Sequence, residues 1–293
     1  MRNGGILLIL AALGVAGEGG TGLHGIFPAS PGTGSASGAP MPLYRESRLT
    51  APQEVHEGPP YNGRFTFVRL RFGDSGGDLR NLGYRGRRGG RGRGGLPPWA
   101  HDYPRAETNF ARILEATTFI DTYTEGASGR VLDLDDPELF KYPVASIIEV
   151  GYWNPTDEEV RSLRAWLLKG GFLIVDDTRQ DRGYEFQNLG TQMRRVLPGF
   201  EILPMPPDHE IYDSFFRIED PQELVPPYGR HVPVYLGIFE DNDPLNGRVM
   251  VMINFNTDLQ EYWEFSDVGY YPIDLSNEAY QFGINYLVYA FTH

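Results

Sequence analysis

The chain has no cysteine, which excludes a disulfide framework, a thiolate nucleophile and a lipidated N-terminal cysteine together. Lysine is almost missing: Lys141 and Lys169 are the only ones, both beside apparent helix ends and neither placed as a nucleophile. No GxSxG turn carries a serine, and no HExxH or HxH spacing gathers metal ligands. The six histidines, His24, His56, His101, His209, His231 and His293, are scattered. Beyond the N-terminus no apolar run approaches the roughly 18 residues of a membrane span. Neither a metal nor a cofactor is therefore expected, and the missing nucleophile and metal motif point away from an enzyme.

With 41% hydrophobic residues in 293, there is enough apolar material for a substantial core. The opening MRNGGILLILAALGVAG has one charge, Arg2, then an apolar run from Ile6 to Val15 and small residues to Gly17. That is the layout of a secretory signal peptide, so residues 1–17 are expected to be one and the protein to be exported, periplasmic or cell-envelope associated. Residues 18–62, rich in Gly, Pro and Ser, are expected to be a linker, and residues 63–293 a single domain.

The net charge of -13 is uneven. Six arginines fall between Arg80 and Arg93 with no acid among them, so the remaining 279 residues carry -13 - 6 = -19. From Glu201 to His293 there are sixteen acids against three arginines. Such a field repels nucleic acid and anionic lipid, so neither is an expected partner of the body. The Arg/Gly-rich loop, residues 73–98, lacks the Lys-Ser/Thr pair of a phosphate-binding turn and is instead expected to meet an acidic partner.

Strand and helix patterns then alternate. RFTFVRLRF, residues 64–72, alternates Val68, Leu70 and Phe72 with Arg69 and Arg71, as in a half-exposed strand. A helix is predicted from near Pro104, with Ala106, Phe110, Ile113 and Leu114 inward, then strands at FIDTYT, 119–124, and ASIIEVGY, 145–152. In PTDEEVRSLRAWLLKGG, Thr156 and Glu159 form a capping box and Gly170 or Gly171 supplies the stop. FLIVDD is a buried strand, a helix is predicted between Tyr184 and Val196, and VPVYLGIFED with GRVMVMINFN reads as an antiparallel pair across DNDPLNG. SNEAYQFGINYLVYAFTH closes the chain as a helix with Tyr280, Ile284, Leu287, Val288 and Phe291 inward. The expected fold is α/β, a three-layer sandwich with a mostly parallel sheet and a C-terminal antiparallel edge.

Ligands of open α/β sheets bind beyond the carboxyl ends of the strands, which here are residues 151–154, Asp176 with Asp177, and residues 254–258. Adjacent strand residues face opposite ways, so Asp177 is expected to address the crevice and Asp176 to tie the strand to its neighbours. Asp208 and His209 would join them if their loop folds over the sheet. WNP brings Trp153 to a strand end. PWAHDYPRAETNF places His101, Asp102, Arg105 and Asn109 at a helix entry, where Asp102 could equally be a cap. LQEYWEFSDVGYYPIDLS sets Tyr262, Trp263, Phe265, Tyr270 and Tyr271 among acids, a pattern suited to sugar stacking or to a protein interface.

FTFVRLRF, WAHDYPRAETN, DDPELFKYPVASIIEVGYWNPTDEEVRSLRAWLLKGGFLIVDD, MRRVLPG and DHEIYDSFFRI together resemble an uncharacterised bacterial family, domain of unknown function 4159. The resemblance implies an exported α/β domain similar to glutamine amidotransferase-like and flavodoxin-like folds, with no established activity. The nucleophilic cysteine of the amidotransferases has no counterpart here. The expected function is a non-enzymatic binding or scaffolding subunit of a cell-envelope assembly, with a membrane-associated protein complex as partner. The alternative is a hydrolase or transferase acting on envelope glycans, with carboxylates at the strand ends as acid and base.

Overall fold

The computed structural model describes residues 57–73, 97–180, 182–229 and 231–293. Residues 1–17, expected as a signal peptide, the expected linker as far as residue 56 and all but the ends of the Arg/Gly-rich loop lie outside the described residues. The strands are β1 (Phe67–Arg71), β2 (Gly129–Asp133), β3 (Val144–Ile147), β4 (Phe172–Thr178), β5 (Leu203–Pro204), β6 (Val234–Phe239) and β7 (Val249–Phe255). The helices are α1 (Arg105–Thr117), α2 (Asp157–Leu168), α3 (Tyr184–Val196), α4 (Leu259–Phe265) and α5 (Ile273–Thr292). They build one seven-stranded sheet in the order β2-β1-β3-β4-β7-β6-β5. The first five in that order are parallel, and β6 and β5 add the antiparallel edge. No helix among the described residues is long and apolar enough to cross a membrane.

The alternation of side chains in β4 shows how the layers form. Leu173 and Val175 join the core that α2 and α3 cover, through Val160, Leu163, Leu189 and Met193. Phe172 and Ile174 join the opposite core, covered by α1, α4 and α5 through Phe110, Trp263 and Phe282. Both faces of the strand are thus buried, which is why FLIV is apolar without interruption.

The capping box at α2 forms as its spacing predicts. Thr156 Oγ1 accepts from Glu159 N at 3.2 Å, and the Glu159 carboxylate accepts from Thr156 N at 2.6 Å. Thr156→Ala is expected to lower stability by about 1 kcal/mol, read as a shifted urea midpoint at unchanged slope.

Several elements differ from the sequence reading. FIDTYT is no strand: Phe119 is fully exposed, and only Thr122 bridges to Phe65. The second strand is instead GRVLD, where just Val131 and Leu132 supply apolar side chains to the core, too few to stand out as a run. ASIIEVGY is extended only to Ile147, after which Glu149 takes a left-handed conformation (φ 50°) and turns the chain into a short 3-10 turn. Phe291 of the last helix is 40% exposed rather than inward, lying edge-on to Phe65. Residues 57–62, read as linker, belong to the folded part. Glu57 O accepts from Val131 N at 2.9 Å, and the Tyr61 ring meets Tyr142 edge-on at 5.4 Å.

Candidate functional site

In the sheet order β2-β1-β3, the chain goes from β1 to one side and then crosses to the other. The crevice of such a sheet lies at this reversal, beyond the carboxyl ends. Segments that follow four different strands supply its polar groups: His101 and Asp102 after β1, Glu149 after β3, Asp177, Arg179 and Arg182 at the end of β4, and Asp258, Glu261 and Glu264 after β7.

The aspartate doublet divides its work, though not by simple alternation. Pairing between β4 and β7 slips between Val175 and Thr178, and Asp177 is left-handed there (φ 46°). Such a bulge re-aims a side chain at the end of a strand. Asp176 turns to the α4 side, where Oδ1 accepts from Asn254 Nδ2 and Oδ2 from the backbone N–H groups of Leu259 and Gln260, all at 3.0 Å. It therefore joins β4 to β7 and to the start of α4. Burial pushes its pKa up to about 7 against those three donors.

Asp177 points into the cluster. Arg179 Nε lies 2.9 Å from its Oδ1, and His101 Nδ1 is 3.6 Å from its Oδ2, an ion-pair distance rather than a hydrogen bond. Burial works to raise the Asp177 pKa, but His101, Arg179 and Arg182 outweigh it and hold the pKa below the usual range. Burial likewise opposes protonation of His101, and Asp177 with Glu261 and Glu149 overcomes it, raising the imidazole. Arg182 Nη1 reaches Glu149 at 2.8 Å and Glu185 at 3.0 Å. The Arg179 guanidinium stacks on the Tyr228 ring at 3.7 Å, and the Tyr228 hydroxyl donates to Asp258 Oδ2 at 2.6 Å. Asp258 Oδ1 caps α4 by accepting from Glu261 N at 2.9 Å. Burial and the nearby acids Asp177 and Asp176 push the Asp258 carboxyl well up.

One residue positions the His101 segment from below. Arg69, on β1, is fully buried, although the alternation of its strand reads as half-exposed. Its guanidinium donates to Glu107 Oε1 through Nε at 2.9 Å and Nη2 at 2.6 Å, to Trp99 O at 3.3 Å, to His101 O at 3.0 Å and to the side-chain carbonyl of Gln260. An arginine with each group spent this way fixes a loop backbone without facing solvent.

Of the residues singled out in the sequence, Asp177, His101 and Asp102 meet in the cluster, with Asp176 bracing it. Asn109 supports it from behind, donating to Trp263 O at 2.9 Å and Glu264 O at 3.2 Å. Arg105 is outside it, paired with Asp267 at 2.7 Å. Trp153 is fully buried in the core under α2 and α3. Asp208 and His209 do not converge with Asp177. Asp208 is exposed, and the His209 ring packs against Phe239 and Tyr289 at 6.0 and 5.6 Å while its Nδ1 accepts from Ile211 N at 3.1 Å. Phe239 pairs with Val249 at the first residue of β7, so the dipeptide lies about 20 Å from the carboxyl edge, the length of that strand. Nor is the C-terminal aromatic set a surface. Tyr262, Trp263 and Tyr271 are buried, the first two because LQEYWEF is a helix with those rings inward, and Tyr271 because its ring meets Tyr262 edge-on at 4.8 Å and its hydroxyl donates to Glu261 Oε1 at 2.8 Å.

Sequence reasoning missed Glu149, Arg179, Arg182, Tyr228, Glu261 and Glu264 as site residues. Glu149 carried the clearest signal, as an acid closing an apolar strand. Tyr228 carried none, since nothing in PPYGR shows which loop it will face.

A search of curated proteins finds no match to the chain. A family model does match: that of the Domain of unknown function (DUF4159), over residues 92–291. That interval takes in every residue of the cluster. The chain belongs to this family, and what it carries at its carboxyl edge is a cluster of one partly buried histidine and mostly buried carboxylates on an α/β sandwich with a mostly parallel sheet.

Proposed function

We propose that the protein is an exported binding subunit of a cell-envelope assembly, whose carboxyl-edge crevice holds a ligand or partner without turning it over. The observation that carries this reading is how the charged groups there are committed. Asp177 lies between His101 and Arg179, Arg182 spans Glu149 and Glu185, and Asp258 is bound to Tyr228 and to the start of α4. Among the described residues His101 Nδ1 has no hydrogen-bond partner, so no serine or threonine hydroxyl there is held for activation by that nitrogen. The rival reading, a glycan hydrolase or transferase, asks for two carboxyl groups about 5 to 10 Å apart across a cleft. Asp177 and Asp208, the pair the sequence offered, sit at opposite ends of the sheet.

Export is supported by Arg2 and the apolar run that follows, and the arginines between Arg80 and Arg93 suit an acidic partner. Affinity purification of the tagged full chain from native envelopes in mild detergent is expected to recover a stoichiometric complex. Recovery of monomer alone would overturn the reading.

A further inference from the structure

A groove of about 340 Å³ runs between α1, the start of α5 and the turn that joins α4 to α5. That volume lies at the small end of the roughly 300–1,000 Å³ of ligand pockets. Its walls are largely apolar, with Ile113 from α1, Tyr271 from the turn, and Ile273 and Tyr280 from α5. The frame beneath is fixed. Tyr280 stacks on Trp263 at 6.2 Å, its hydroxyl shares a hydrogen bond with Ser266 Oγ at 2.7 Å, and Asn109 holds the carbonyls of Trp263 and Glu264. Gly269, left-handed at φ 64°, turns the chain back into α5. A trough preformed in this way costs little to order around a ligand.

Two polar groups along it remain unspent. Ser276 is 5% exposed and lines the groove, and its hydroxyl makes no hydrogen bond among the described residues. Buried hydroxyls are ordinarily paired, so this one is left for a ligand. Arg112 lies one turn along α1 from Asn109, exposed at the rim. It alone of the described arginines makes neither a hydrogen bond nor an ion pair. The acid of the groove, Asp267, is already bound to Arg105 at 2.7 Å. The charge still on offer to a ligand is therefore positive, and it belongs to the wall opposite Ser276.

From this geometry we propose that the groove binds a small molecule made of an apolar body and one carboxylate. The body lies against Ile113, Tyr271, Ile273 and Tyr280, and the carboxylate is held between the Arg112 guanidinium on one wall and the Ser276 hydroxyl on the other. A guanidinium fits a carboxylate through two parallel N–H donors and keeps its charge at any physiological pH. Apolar walls supply affinity without direction, and the two polar groups orient the ligand. A cationic ligand would meet the unpaired arginine instead, and a polymer would overrun a trough of this size.

The test titrates the full chain calorimetrically with octanoate, and with 1-octanol and octylamine as its neutral and cationic counterparts. One octanoate site per chain is expected, bound at least about 10-fold more tightly than octanol, the difference a charge-assisted hydrogen bond makes. Arg112→Gln, at an exposed position where substitution leaves the fold intact, is expected to remove that preference. Ser276→Ala is expected to weaken octanoate by about 5-fold, the loss of one hydrogen bond. No saturable binding of octanoate at millimolar concentration overturns the proposal. So does equal or tighter binding of octanol or octylamine, or an octanoate affinity that Arg112→Gln leaves unchanged. A peptide with a free, apolar C-terminus that binds where octanoate does not would make the groove a dock for a chain end, and overturns the small-molecule assignment too. The inference does not rest on the binding-subunit reading, since a silent titration leaves the co-purification result standing and a monomeric preparation leaves the titration standing.

Discussion

Arg69→Met is expected to cost about 3–5 kcal/mol of folding stability, the range for removing one partner of a buried ion pair. The methionine can fill much of the space, so packing is not the main loss. What remains is the Glu107 carboxylate, 1% exposed, with the two guanidinium bonds that neutralised it gone. The carbonyls of Trp99 and His101 lose their donor too. The double variant Arg69→Met/Glu107→Met removes the stranded charge as well and is expected to recover at least half of the loss, so the two substitutions are strongly non-additive in urea denaturation. If the double variant is as unstable as the sum of the singles, the pair is not what holds this part of the fold. The same single variant frees the His101 backbone, so any ligand of the cluster should be bound more weakly by whatever fraction of Arg69→Met still folds.

The second large effect is expected at Asp176. Asp176→Ala leaves the Asn254 amide and the N–H groups of Leu259 and Gln260 buried without an acceptor. At about 1–3 kcal/mol for each stranded group, a total near 3 kcal/mol or more follows. Asp176→Asn should cost less but not nothing. Its carbonyl can still take the two backbone donors, while its NH2 then faces that of Asn254. Asn254 cannot turn to meet it without giving up the bond its own carbonyl accepts from the Tyr286 hydroxyl at 2.9 Å. Thermal melts of the two variants should therefore rank wild type above asparagine above alanine. Near-equal melting of all three would mean that water replaces the carboxylate.

How far the sequence discloses this protein depends on where each signal resides. Local chemistry was readable: the Thr156 and Glu159 box, the helix between Tyr184 and Val196, and the apolar strand FLIV all turn on residues a few positions apart. The alternation in FVRLR misled, because a buried arginine and an exposed one are written with the same letter. What buries Arg69 is a glutamate 38 residues on. Trp263 and Tyr262 looked like a stacking surface for a related reason, since helix and loop differ little over seven residues.

The cluster was legible in its location and not in its membership. A census of strand ends reached Asp177 and the segment up to Asp258, and the polar run at the α1 entry reached His101 and Asp102. It could not foresee that four segments converge while Asp208 and His209 go to the opposite edge. The absence of a metal-ligand spacing had little bearing on this, because such spacings describe ligands from one helix or one loop. Here Asp102 and Glu261 are separated by 159 positions in the sequence, and the sheet is what brings them together.

The place of β7 in the sheet also sets a timetable for folding. It pairs with β4 on one side and β6 on the other, yet only α4 and α5 follow it in the chain. Until that late segment has emerged, β2, β1, β3 and β4 can form only a half-sheet, and β4, apolar on both faces, is its open border. Such a border is a template for pairing with other chains. Nascent copies are then most exposed to misassociation at FLIV, and a holding chaperone would gain most by covering that strand until β7 arrives.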